Sequence, residues 1–199
     1  MTHTKAIAAA LNRSRLKYAH LQHSISRDNF RGKIVILGGL LQNSKETTHK
    51  WVCSLPTGTC LIVVNNGSEK SVFPLVDFLA AQQPPEQSTV FWDKQSPLWT
   101  GLPAGMMGLA SCPPYRLTEP KGLTALKVLA GHRANDGSVF PLAMECRDLA
   151  GRMWLIWNLP QAPAEHDPRW DLLLRNSLLW AHRHLAVTKN RQNAKPRSA

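Results

Sequence analysis

The chain has 199 residues, 43% of them hydrophobic, and a formal net charge of +11. That length suits one α/β domain with appendages, and no apolar run approaches the ~18–20 residues that cross a bilayer as a helix. Residues 1–33 carry a net +6 and residues 182–199 a net +5, so the middle is electrically balanced and attraction to an acidic partner belongs to the two ends.

In "TKAIAAALNRSRLKYAHLQHSI" the residues Ile7, Leu11, Tyr18, Leu21 and Ile25 fall on one helical stripe, with Arg13, Arg15 and Lys17 largely off it. This predicts a basic amphipathic helix and linker over 1–32. "KIVILGG" and "CLIVVNNG" are continuous apolar runs, the pattern of parallel strands buried on both faces. "GKIVILGG" lacks the spacing of a phosphate-binding loop, so Gly38 and Gly39 read as the end of a strand. "VFPLVDFLAAQQ" reads as a short helix with Pro74 near its start, and "STVFWD" as a third strand. Residues 95–122, with Pro97, Pro103, Pro113, Pro114 and Pro120, read as loop, and "ALKVLAGH" as a fourth strand before an "ANDGS" turn.

"VFPLAMECRDLAGRMWLIWNLP" reads as an antiparallel hairpin turning at "DLAG". Side-chain alternation sends Cys146 one way with Phe140, Leu142 and Met144, and Glu145 and Arg147 the other way. "ECRD" is therefore expected at the exposed end of a hairpin rather than in an active site. Pro141 lacks an N–H, which favours an edge position for its strand. "DPRWDLLLRNSLLWAHRHLAV" is the clearest helix, with Asp167 as cap, Pro168 in the first turn and Trp170, Leu174, Leu178, Ala181 and Leu185 on one face. Residues 187–199 are polar and basic and read as a disordered tail.

Cys53, Cys60, Cys112 and Cys146 form no CxxC and no zinc pattern with the eight histidines. His20 with His23 and His182 with His184 share helix faces but want a third ligand, so no metal and no cofactor is expected. The absence of an apolar signal makes the cytoplasm the expected compartment, with reduced thiols. The basic, acid-poor start makes the mitochondrial matrix the alternative. Trp154, Trp157, Trp170 and Trp180 sit at apolar strand and helix positions and read as core. Trp92 and Trp99 flank "PLWTGLP" and, with Leu102, are candidates for an exposed partner surface.

The order of "SPLWTGLP", "ALKVLA…DGSVFPLAMECRDLAGRMWLIWNLPQ" and "RWDLLLRNSLLWA" resembles the class I glutamine-amidotransferase-like superfamily, and more closely its non-catalytic branch. The matching positions are Pro97 to Leu102, Val128 to Ala130, Pro141 and Leu142, Gly151 to Trp157, and Arg175 to Ala181, within residues 33–186. The resemblance implies a flavodoxin-like three-layer α/β fold: a sheet with flanking helices, closed by an antiparallel hairpin and a helix. Active members carry a cysteine in a Gly-x-Cys-x-Gly elbow, and "WVCSL", "GTCLI", "ASCPP" and "MECRD" all lack it.

These readings converge on a non-enzymatic adaptor or accessory subunit that binds another protein, with Trp92, Trp99, Leu102, Arg13, Arg15 and Lys17 as contact residues. One alternative is a sequence-nonspecific nucleic-acid-associated protein using Arg183, Lys189, Arg191, Lys195 and Arg197. The other is a cryptic thiol hydrolase, with Cys112 as nucleophile and His132 or His49 as base.

Overall fold

The computed structural model describes residues 3–13, 15, 32–38, 51–65, 79–102, 112–119, 122–159 and 168–193. In chain order the elements are α1 (His3–Arg13), β1 (Ile34–Gly38), β2 (Cys60–Asn65), β3 (Leu79–Ala81), β4 (Ser88–Trp92), a 3-10 turn (Pro97–Trp99), β5 (Tyr115–Leu117), β6 (Leu123–Ala134), β7 (Val139–Asp148), β8 (Met153–Asn158) and α2 (Pro168–Asn193). Six strands form one sheet in the order β1-β2-β8-β7-β6-β4, and β3 pairs with β5 in a separate ribbon. The protein is thus a mixed α/β domain.

The two continuous apolar runs set the centre of the parallel half. β2 pairs in parallel with β1 on one side and β8 on the other. Cys60, Leu61, Ile62, Val63 and Val64 are all buried whichever face they point to, which is why the run shows no alternation. From β8 onward the sheet is antiparallel, through β7 and β6 to β4. One face packs against Ile7, Ala10 and Leu11 of α1, Leu98 of the 3-10 turn, and Trp170, Leu173, Leu174, Trp180 and Ala181 of α2. The other is covered by Val52 and Leu55 of a short helical turn, with Leu79 and Tyr115 of the ribbon.

α2 follows its expected stripe, and its polar residues explain the rest of its sequence. Asn176 donates to the carbonyls of Leu98 and Thr100, both at 2.9 Å, tying the helix to the 3-10 turn. The Trp157 indole donates to Ser177 Oγ at 3.2 Å, and that hydroxyl donates to Leu173 O. α2 continues to Asn193, so the first part of the segment expected as a loose tail is helical. α1 ends at Arg13, and Arg15 takes the left-handed conformation with φ 53°. Tyr18, Leu21 and Ile25 lie outside the described residues. α1 is a structural layer of the body, joined to α2 by the Arg13–Asp171 ion pair.

Four expectations need correction. Leu79–Ala81 is a strand, not part of a helix, because pairing with β5 outweighs local propensity. The 95–122 segment contains the 3-10 turn and β5. "ECRD" is not an exposed hairpin end: Cys146 is buried, and Asp148, only 13% exposed in its side chain, is the hairpin's main polar anchor. Asp148 accepts from Arg152 Nε at 2.6 Å, Arg152 N at 2.9 Å and the Trp154 indole at 3.0 Å, while Arg152 Nη1 donates to Val52 O at 2.6 Å.

Pro141 lies in a central strand rather than at an edge. Its partner on β6 is Gly131, and the register shifts between Ala130 and Gly131. A Cβ on Gly131 would stand 2.5 Å from Phe140 O and 3.0 Å from Pro141 Cα, so the missing side chain is what allows this close approach. The Pro141 carbonyl accepts from the buried Asn158 amide at 2.8 Å.

Gly131→Ala is expected to lower the unfolding free energy by about 1–3 kcal/mol through overpacking against backbone. Asp148→Ala, which leaves the buried Arg152 without its carboxylate, is expected to cost about 3–5 kcal/mol. Urea titration of each variant checks both.

Candidate functional site

The helix-side face is covered by α2 over β2 and β8 but opens toward β6. There a groove of about 450 Å³ is lined by Thr124, Ala125, Leu126 and Lys127 of β6, Glu145, Cys146 and Arg147 of β7, and Met153 of β8. That volume falls in the range of ligand pockets. Strand register builds it: Lys127 lies opposite Glu145, Ala125 opposite Arg147, and Arg147 opposite Met153.

Most of its charges are occupied in holding the fold. Glu145 Oε2 accepts from the Trp180 indole at 2.8 Å, so the carboxylate anchors α2 to the sheet. Lys127 Nζ sits 2.6 Å from Asp93 Oδ2. That hydrogen bond holds the Asp93 carboxyl below its ordinary range, assisted by the Gln95 amide, and raises the lysine in turn. His184 packs on Trp180 with ring centroids 4.5 Å apart. Burial pushes its imidazole below the ordinary histidine range; the Glu145 carboxylate opposes that shift and Arg147 adds to it.

Arg147 differs. Its Nε rests 3.3 Å from Met153 Sδ, a weak acceptor. Its terminal nitrogens donate to no acceptor among the described residues, although the side chain is only half-exposed. A guanidinium so placed is suited to bidentate binding of a carboxylate or phosphate.

The expected contact residues separate. Trp92, 36% exposed, stands at the end of the terminal strand with Lys94 Nζ 5.8 Å over its ring. Trp99 and Leu102 are partly buried and pack against the helix-side core, and Trp99 meets Trp157 edge-on at 5.8 Å. The 3-10 turn, capped by Ser96, rolls them inward. Arg13 is engaged with Asp171, and its Nε donates to Oδ2 at 2.8 Å. Arg15 and Arg183 are exposed. Lys189 and Arg191 lie on α2, with side chains outside the described set, and Lys17, Lys195 and Arg197 are outside it altogether. Trp154, Trp157, Trp170 and Trp180 are core, as their positions implied.

Cys53 is exposed, whereas Cys60, Cys112 and Cys146 sit in environments that suppress ionisation. Burial pushes Cys60 and Cys146 up to about 12 each, the latter aided by Asp148 and Glu145. Cys146 packs with Met144, Trp154 and Ile156 on the ribbon side, opposite to Glu145. Burial raises Cys112 to about 11, and its sulfur donates to Pro113 O at 3.8 Å. His132 Nδ1 lies 3.0 Å from Ser88 Oγ within the β4–β6 ladder; His49, His20 and His23 are outside the described residues. Among the described residues no three side chains gather as metal ligands.

Sequence reasoning missed the groove, although the signal was present. Alternation already put Glu145 and Arg147 on one face, and a carboxylate placed against a Trp-bearing helix face calls for an indole donor.

Ionisation of an unfolded thiol begins near the ordinary 9.0, whereas folded Cys60 and Cys146 hold their protons to about 12. Between these values the unfolded chain binds fewer protons, so stability falls as pH rises, by up to about 1.4 kcal/mol per pH unit for each thiol. Cys60→Ala and Cys146→Ala should each flatten that slope in urea titrations run from about pH 9 to about pH 11. No protein-family model, curated protein or solved structure matches this chain.

Proposed function

We propose that the protein is a non-enzymatic adaptor or accessory subunit that binds another protein through its sheet body. The observation that carries this reading is the division of labour in the groove. Glu145, Lys127 and Asp93 are held in structural contacts, and Cys146 turns its thiol into the core, leaving an amphipathic surface on which the terminal nitrogens of Arg147 have no acceptor among the described residues. Such a surface offers shape and charge rather than a nucleophile with an adjacent base.

The finer assignment, a flavodoxin-like body of the non-catalytic branch of the glutamine-amidotransferase-like superfamily, belongs to the same proposal. Its support is positional: the motif segments fall on the 3-10 turn, on β6, β7 and β8, and on α2. The antiparallel half of the sheet sets this chain apart from a wholly parallel flavodoxin-like sheet.

A second reading, nucleic-acid binding by the basic ends, draws on α2. Its segment from 182 to 193 includes Arg183, Lys189 and Arg191 and no acidic residue, and Arg183 is exposed.

Affinity purification of the intact protein, beside Trp92→Ala and beside the triple variant Arg183→Glu, Lys189→Glu, Arg191→Glu, separates these readings. The adaptor reading expects a protein partner that survives nuclease and the triple variant. Recovery only of nucleic acid, lost in the triple variant and in high salt, would replace it with the second reading. Turnover of an amide or thioester substrate that disappears in Cys112→Ser would overturn both.

A further inference from the structure

Among the described residues β6 is engaged along its length on one side and only at one end on the other. β7 pairs along its length from Leu123 to Arg133, but β4 pairs only with Ala130–Ala134. Asp93 N makes one more ladder contact, to Leu129 O at 2.7 Å, and the chain then enters the 3-10 turn. Among the described residues no strand lies beside Leu123–Val128 on the β4 side. The groove follows this edge, being lined by four consecutive residues, Thr124 to Lys127.

A rim with no strand beside it among the described residues is a template for another strand, and proteins usually guard such a rim with lysine, proline or charge. The one lysine here, Lys127, is drawn aside to Asp93. Register is regular from Ala125 to Val128, between the irregularities near Thr124 and Leu129. Arg147, one strand inward, lies opposite Ala125, whose methyl leaves room above it for a side chain coming from the rim.

We propose that the Ala125–Val128 edge of β6 receives an extended peptide from another protein as an added strand, with a carboxylate of that peptide seated on Arg147. The inference rests on the adaptor reading and names its contact. Backbone pairing supplies affinity, and the acid supplies register and selectivity. A second copy does not meet the requirement: β6 contains no Asp or Glu, so edge-to-edge pairing of two such strands brings no carboxylate to Arg147, and each chain carries +11.

The test uses the intact protein and a capped, fluorescently labelled peptide of about six residues, alternating Thr and Val with one central Asp, read by anisotropy. Binding is expected to weaken about tenfold when Asp is replaced by Asn, and about tenfold in Arg147→Gln. The two changes together should do little more than either alone, the signature of one shared contact. Two further peptides carry N-methyl groups on alternate backbone amides, one set on odd and one on even residues. Edge pairing predicts that one set abolishes binding and the other leaves it nearly intact. Equal behaviour of the two sets, or indifference to Arg147→Gln with the fold intact by circular dichroism, overturns the proposal. So does failure of the unmodified peptide to bind. If the protein still captures its partner, that failure overturns the edge alone; if it captures none, the adaptor reading falls with it.

Discussion

Asp148 ties three separate parts of this fold together. Its two oxygens receive the Arg152 backbone amide, the Arg152 guanidinium and the Trp154 indole. Arg152 in turn reaches the carbonyls of Val52 and Leu55. The hairpin turn, the first inward tryptophan of β8 and the helical turn before β2 are therefore locked to one another. With that lock in place β8 has a fixed start, and a fixed start sets its register against both β2 and β7. A one-residue slip would exchange the two faces of the strand and send Trp154 and Trp157 to the wrong layers. The sheet changes from parallel to antiparallel at β8, so an error there would spread in both directions.

Two indole N–H groups act as fasteners in the helix-side layer. Trp157 is held by Ser177 and Trp180 by Glu145, while Asn176 secures the 3-10 turn. Each combines a large apolar body with a single directional polar tip. α2 is thus fixed in rotation and translation, with few charges spent beneath it. The same economy leaves the terminal nitrogens of Arg147 without an acceptor among the described residues, and the candidate groove lies where α2 stops covering the sheet.

Much of this was legible in the residues. β1 and β2 announce themselves as unbroken apolar runs, β7 and β8 as a hairpin, and α2 by its stripe and its Pro168 start. Elements governed by distant partners were not. Leu79–Ala81 reads as helix locally and becomes a strand only because Tyr115–Leu117 lies beside it. Pro141 argues for an edge until Gly131, on the neighbouring strand, supplies the space for a central position. Trp99 looked external because proline-rich segments usually are, but the Ser96-capped turn rolls its ring onto Trp157. Of the candidate site, alternation showed which side Glu145 and Arg147 share. The incomplete pairing of β6 among the described residues was hidden, because the length of β4 relative to β6 is a property of pairing rather than of either strand alone.

α1 packs against α2, and the salt link between Arg13 and Asp171 spans 158 positions of sequence. The earliest described helix thus has its apolar stripe, Ile7, Ala10 and Leu11, completed by the last described one. β2 faces a similar wait for β8. Such remote contacts slow folding, because the chain must be closed into long loops before they stabilise it. Until both partners of such a contact are in place, the apolar stripe of α1 and the strand β2 lack the layer that buries them, and exposed surface of that kind is what makes folding intermediates prone to aggregate.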